Sequence, residues 1–201
     1  MSAKLIVFEG IDGSGKTTIS RRLAAEMRER FQVTWLREPG DSQWGREIRR
    51  LANSRASIPP EEELRLFIED RRYNVSCHIL PALESGHMVI MDRYFYSTAC
   101  YQGARGLDME EILKANRCFA PEADMVLIVD VDVETALERI RIGRENASPL
   151  FETRRFLQKV RDNYLSLRGK HIHIVDGSGD PDTVYQSASA MIFRKLVSNS
   201  R

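Results

Sequence analysis

The sequence predicts a three-layer α/β fold, a five-stranded parallel sheet with helices on both faces. Two observations predict it. Five short apolar runs alternate along the chain with segments of helical period, and such alternation builds a parallel sheet covered on both sides. The chain is 201 residues long, enough for one well-cored α/β domain, so a single domain over 1–201 is expected.

Each element has its own signal. Leu5–Phe8 is a short apolar run that reads as a buried strand. Thr17–Arg30 follows as a helix, with Ile19, Leu23, Ala24 and Met27 on one face. Val33–Leu36 is the second strand and Gln43–Asn53 the second helix. A long helix is expected over Pro60–Leu83, opened by Pro60 and the acids Glu61 to Glu63. Gly86 hands it over to a strand at Met88–Met91. Met109–Ala120 has helical period, and Val126–Val131 is the fourth strand. Asp132 can cap the next helix, Val133–Ile142. Ser148-Pro149 breaks the chain beside the basic run Arg139 to Arg144, which predicts a mobile flap there. Phe151–Arg168, Ile172–Val175 and Pro181–Leu196 complete the series as helix, strand and helix, with Gly169 at the handover.

The join between the first strand and helix carries chemistry. Gly10-Ile11-Asp12-Gly13-Ser14-Gly15-Lys16-Thr17 matches the phosphate-loop spacing G-x-x-x-x-G-K-[ST]. It lies between a strand and a helix, the context that makes the string meaningful, and so predicts a P-loop NTPase fold. Gly10, Gly13 and Gly15 permit dihedrals that turn successive N–H groups inward. The helix N-terminus adds its positive dipole end. The candidate ATP-binding residues are Gly10, Asp12, Gly13, Ser14, Gly15, Lys16, Thr17 and Thr18. Lys16 would reach the terminal phosphates, and the Thr17 hydroxyl would ligate Mg²⁺.

Composition narrows the partners. Thirty Lys and Arg stand against 29 Asp and Glu, which argues against a general nucleic-acid or membrane binder. The three cysteines, Cys77, Cys100 and Cys118, are odd in number and widely spaced, so neither a disulfide framework nor a zinc site is expected. No secretory leader and no membrane-length apolar run is evident, which predicts a cytoplasmic protein.

Polar residues gather just past the strand ends, where ligands of open α/β sheets bind. They are Arg37-Glu38-Pro39-Gly40, Asp92-Arg93-Tyr94 and Asp130. Asp92 ends an apolar strand and is a candidate Mg²⁺ holder. Arg93 is placed to clamp a phosphate. Turn capping for Asp92, and an ion pair to Asp92 or Glu38 for Arg93, are the plainer alternatives. The four histidines, His78, His87, His171 and His173, fall away from these loops. Many arginines converge instead: Arg37, Arg49, Arg71, Arg93 and the run from 139 to 144. An acceptor that is already an anion needs no base, only relief of charge repulsion and correct positioning. The residues thus favour phosphoryl transfer from ATP to a nucleoside monophosphate.

The motifs resemble those of the thymidylate kinase family. The matching segments are FEGIDGSGKTT (8–18), REPG (37–40), LFIEDRR (66–72), ILPALESGHMVIMDRYFYST (79–98), YQGARGLD (101–108) and FETRRFLQKVRDNY (151–164). The resemblance implies transfer of the γ-phosphate of ATP to dTMP with Mg²⁺, a step toward dTTP, and a homodimer. It implies that Asp12 binds the deoxyribose 3′-hydroxyl and helps order Mg²⁺. Phe67 would stack on thymine and Arg71 would bond its carbonyl edge; on pattern alone Phe67 fits the core equally well. Arg93 would clamp the acceptor phosphate with help from Arg49. Ser97 and Gln102 would contact the base edge, Tyr101 would wall off the sugar 2′ position, and Pro39, next to Glu38, would lie near the thymine methyl. A LID flap maps to about 139–151.

The chain departs from the family pattern at two places. Leu150 stands where an arginine usually precedes the aromatic-Glu pair of the LID. The LID role therefore passes to Arg144, with Arg139 or Arg141 able to share it. Asp41-Ser42 follows REPG where Gly-Thr is common. Asp41 raises the alternative of another pyrimidine acceptor, and Leu150 that of a catalytically weakened nucleotide-binding protein.

Overall fold

The computed structural model describes residues 3–54, 58–143 and 150–197. The strands are β1 (Lys4–Glu9), β2 (Val33–Arg37), β3 (Met88–Asp92), β4 (Met125–Asp130) and β5 (Ile172–Asp176). They form one five-stranded sheet in the order β2-β3-β1-β4-β5, and every pairing is parallel. The helices are α1 (Lys16–Met27), α2 (Gln43–Ser54), α3 (Pro60–Asn74), α4 (Leu80–Glu84), α5 (Phe95–Ala104), α6 (Met109–Arg117), α7 (Val133–Gly143), α8 (Leu150–Ser166) and α9 (Pro181–Ile192).

Side-chain alternation along the strands divides the core. Leu5, Val7, Val89, Met91, Val126 and Ile128 face one layer, with Tyr94, Phe95, Ile112, Val160 and Tyr164. Ile6, Phe8, Met88, Ile90, Leu127 and Val129 face the other, which α1 and α9 cover with Leu23, Met27, Val184 and Ile192. The central strands β3, β1 and β4 are thus buried on both faces, which explains why they read as continuous apolar runs, while the edge strands β2 and β5 are partly exposed.

Two features depart from the sequence expectation. Helix α5 has no apolar stripe to announce it: Phe95 to Cys100 and Gln102 are all buried, so neither a polar face nor a 3.6-residue period survives. The long helix expected over Pro60–Leu83 is interrupted by a π turn at Val75–Ile79. Pro81 lies one residue into α4 and has no N–H to continue an α ladder. The Leu80 N–H reaches back five residues to the Val75 carbonyl and re-registers the chain just before it. A second π turn, Phe193–Val197, follows α9.

Register decides what meets at the sheet's C-terminal edge. Phe8 and Arg37 both pair with Asp92. Glu9, Glu38 and Arg93 therefore leave three adjacent strands side by side. The Arg93 N–H bonds the Phe8 carbonyl at 2.9 Å, and the Glu38 N–H bonds the Asp92 carbonyl at 3.1 Å. Among the described residues no helix is long and apolar enough to cross a membrane. Cys77 and Cys118 are exposed free thiols, and Cys100 is a buried one.

Candidate active site

The phosphate loop is built by close approach. Gly10 and Gly13 have φ of 137° and 83°. A Cβ on Gly10 would meet the Val129 carbonyl, and one on Gly13 would meet that of Ala136 in α7. Only glycine satisfies both the dihedral and the space. Helix α1 then starts at Lys16 without any side-chain cap, so its N-terminal dipole end points into the loop.

Lys16 is buried and donates to the Ile11 carbonyl at 3.0 Å across the loop. Burial lowers its pKa to about 8; the Arg93 charge adds to that, while Asp12, Asp92 and Glu9 oppose it. Charged Lys16 is thus disfavoured in the folded protein. That penalty is fully present below pH 8 and fades as pH rises toward the unfolded value. A bound polyphosphate would raise the pKa again. Above pH 8, ATP binding should therefore take up a fraction of a proton, and near pH 6.5 Lys16 should take up none. Calorimetry in buffers of different ionisation enthalpy checks this; uptake independent of pH would contradict it.

The Thr17 hydroxyl donates to Asp92 Oδ2 at 2.6 Å, and Arg37 approaches the same oxygen at 3.6 Å. Asp92 is fully buried, yet its other oxygen, Oδ1, has no partner among the described residues. Arg93 follows with φ 72°, a left-handed backbone rare for a non-glycine residue. Such strain persists where surroundings over-determine it. The Arg93 guanidinium donates to Asp12 Oδ1 at 2.7 Å and to Ser97 Oγ at 3.0 Å, and its carbon lies 5.2 Å from the Tyr101 ring centroid. The Tyr101 hydroxyl bonds both the backbone N–H (3.1 Å) and the carboxylate (3.2 Å) of Asp12. Asp12, Lys16, Thr17, Asp92, Arg93, Ser97 and Tyr101 therefore form one cluster. Arg93 pairs with Asp12, not with Asp92 or Glu38. Thr18 lies on the first turn of α1 with its side chain exposed, and Ser14 is buried with an unpartnered hydroxyl.

A second group sits behind the REPG turn, whose Glu38–Pro39 bond is cis. Arg71 is 1% exposed and lies 2.5–2.9 Å from Glu38 Oε2 with two of its nitrogens. It also donates to Thr98 (2.9 Å) and to Asn116 Oδ1 (2.7 Å). Most of its donors are thus spent inside the protein. Phe67, one turn earlier on α3, is half-buried and joins neither core layer. Gln102 donates to Glu63 at 2.7 Å, while its buried Oε1 has no partner. Ser97 Oγ lies within hydrogen-bond distance of Glu9, Arg93 and Tyr164. Its one proton goes to Glu9, so it can meet a base edge only as an acceptor.

Arg49 donates to the carbonyls of Pro39 (2.8 Å) and Gly40 (2.6 Å), and so braces the turn. Asp41 is 80% exposed and lies 3.5 Å from His78. That contact brings His78 to a loop from which its helical context in the sequence had separated it. Asp130 forms a bidentate pair with Arg161 at 2.7 and 2.9 Å. Arg139 bonds the Gly177 (3.0 Å) and Gly179 (3.4 Å) carbonyls, and Arg141 is exposed. Arg144 lies outside the described residues, as do residues 144–149 of the expected flap.

Sequence reasoning missed Glu9, Asp70, Thr98 and Asn116. Asp70 and Asn116 carried a signal, as polar residues set within apolar helical runs. Asp70 is buried and accepts from the Gly40 N–H at 2.7 Å and the Ser42 hydroxyl at 2.6 Å. Asp70→Ala should cost about 1–3 kcal/mol in urea unfolding, because both donors lose a charged acceptor. A change below roughly 0.5 kcal/mol would contradict this.

Comparison with known proteins adds the decisive observation. The family model described as thymidylate kinase matches residues 8–188. The chain belongs to the thymidylate kinase family. It is 42% identical over 199 residues to a probable thymidylate kinase of Archaeoglobus fulgidus, covering 98% of this chain and 99% of that one. It is also 42% identical over 193 residues to a thymidylate kinase of Xanthomonas euvesicatoria, covering 96% and 84%. The crystal structure of thymidylate kinase from Ehrlichia chaffeensis superposes with a TM-score of 0.78 at 29% identity, covering 96% of this chain and 99% of that chain.

Proposed function

We propose that this protein is an ATP-dependent dTMP kinase that converts ATP and dTMP to ADP and dTDP. One observation carries the reading: a phosphate loop and the Arg93–Asp12–Tyr101 cluster share one sheet edge in a chain of this family. Lys16 and the N-terminus of α1 would hold the ATP phosphates. Arg93 would exchange Asp12 for the acceptor phosphate, and Asp12 would then be released toward the deoxyribose 3′-hydroxyl. Gln102 Oε1, buried and unpaired, supports a contact to the base edge. Phe67 would supply the stacking face, Tyr101 the wall beside the sugar and Pro39 the methyl contact.

The acceptor phosphate is already an anion. Its oxygen attacks the γ-phosphorus while the bond to the β–γ bridging oxygen breaks, and ADP leaves with that electron pair. No side chain has to remove a proton. Lys16 and Arg93 offset charge repulsion between the two anions, and the shared edge aligns them.

The residues present fit Mg²⁺. Asp92 Oδ1 is a buried, unpartnered carboxylate oxygen beside the Thr17 hydroxyl. Among the described residues no cluster of three or more acidic, His or Cys ligands exists; Mg²⁺ takes few protein ligands and fills its shell with water and phosphate oxygens. Thr17 and Asp92 would hold it, and it would neutralise charge on the β- and γ-phosphates. The flap at 139–151 is proposed to close over ATP as a LID of this single domain, with Arg144 supplying the arginine; Arg139 is engaged with the loop after β5. A cytoplasmic location and a homodimer are proposed from the family resemblance.

Incubation with Mg²⁺, ATP and dTMP should form dTDP and ADP in equal amounts by ion-exchange chromatography, and chelation should stop it. ADP without dTDP would overturn the reading.

A further inference from the structure

Glu9 is fully buried at the end of β1, directly ahead of the phosphate loop, and the chemistry above gives it no role. Its Oε1 accepts the Tyr94 N–H at 2.8 Å and the Ser97 N–H at 3.1 Å. These are donors at the start of α5, whose N-cap residue, Tyr94, supplies no side-chain cap. The cap therefore comes from another strand. Its Oε2 accepts the Ser97 hydroxyl at 2.5 Å and the Tyr164 hydroxyl at 3.0 Å.

A hydroxyl has one proton to give. With that proton committed to Glu9, Ser97 Oγ presents only lone pairs to Arg93 Nη1, 3.0 Å away. One carboxylate thus fixes both the backbone that follows the left-handed Arg93 and the hydroxyl that holds its guanidinium. A buried carboxylate is costly unless paired and hydrogen-bonded. A neutral residue would cap α5 at less expense, so the charge points to Arg93. Burial raises the Glu9 carboxyl above its ordinary value, against the pull of Ser97, Arg93, Tyr94 and Tyr164.

We propose that Glu9 is a positioning residue for phosphoryl transfer, which acts through Ser97 to aim Arg93 at the acceptor phosphate. This rests on the dTMP kinase reading. The alternative is that Glu9 only stabilises the fold.

Thymidine, which lacks the phosphate, separates the two. Affinities for dTMP and thymidine would be measured by calorimetry, with kcat alongside, for wild type, Glu9→Gln, Arg93→Ala and the double variant. Glu9→Gln should weaken dTMP roughly tenfold or more and lower kcat, with thymidine unchanged within about twofold. In the Arg93→Ala background it should add little. Equal losses for both ligands, or additive losses in the double variant, would overturn the proposal. If Glu9→Gln does not fold, Ser97→Ala carries the same comparison, because it removes the hydroxyl and keeps the backbone bonds to Glu9. A wild-type protein that forms no dTDP would sink the kinase reading instead.

Discussion

Lys16→Ala should lower kcat by about 10³-fold or more while leaving the circular dichroism spectrum unchanged. The two halves of this expectation have one cause. Lys16 is a buried cation with no carboxylate in hydrogen-bond contact among the described residues, and its side chain bonds the Ile11 carbonyl. Its lowered pKa expresses the cost of keeping that charge from water. The fold gains little from the ammonium, so Tm should hold or rise in the variant. A charge that the resting protein keeps at a cost is repaid only when phosphate oxygens arrive. Near-normal turnover would refute the role, and a fall in Tm of many degrees would show that Lys16 serves the fold.

Arg93→Ala should lower kcat/KM for dTMP by about 10²–10³-fold. The guanidinium is a planar fork with Asp12 on one nitrogen and Ser97 on the other. An acceptor phosphate can take the place of Asp12 with little movement of the arginine. Arg93→Lys should restore only part of the loss, because a point charge cannot reproduce the fork. Alanine keeps the left-handed backbone strained and gives up the side-chain anchors, so a modest loss of stability should accompany it. Equal effects on thymidine and dTMP would show that the arginine shapes the pocket rather than holding phosphate.

The sheet was legible in the sequence because its three central strands, β3, β1 and β4, are buried on both faces and read as apolar runs. The observed strands differ from the expected ones by one residue or so at each end, usually at the polar residue that closes the strand: Glu9, Arg37 or Asp92. The phosphate loop was legible because glycine dihedrals and helix onset are local. Helix α5 was not, since burial on all sides erases its period. The π turn before Pro81 was not, since its cause is a missing donor rather than a pattern. Arg71 marks the limit for side chains. Spacing placed it on one face with Phe67, but its partners come from β2's end, α5 and α6. The carboxylate that braces Arg93 comes from β1, far from it in sequence. Long-range polar networks of this kind are written in no window of the chain.

Asp41, which follows REPG directly, is largely exposed and lies 3.5 Å from His78, a contact between two segments that the sequence reading kept apart.

The most direct test is the acceptor preference. ADP release would be followed with Mg²⁺ and ATP while dTMP, dUMP, UMP, CMP, dCMP, AMP and GMP are supplied one at a time. The highest kcat/KM should belong to dTMP. A higher value for any other acceptor, or no turnover with any of them in a folded protein that binds ATP, would contradict the account.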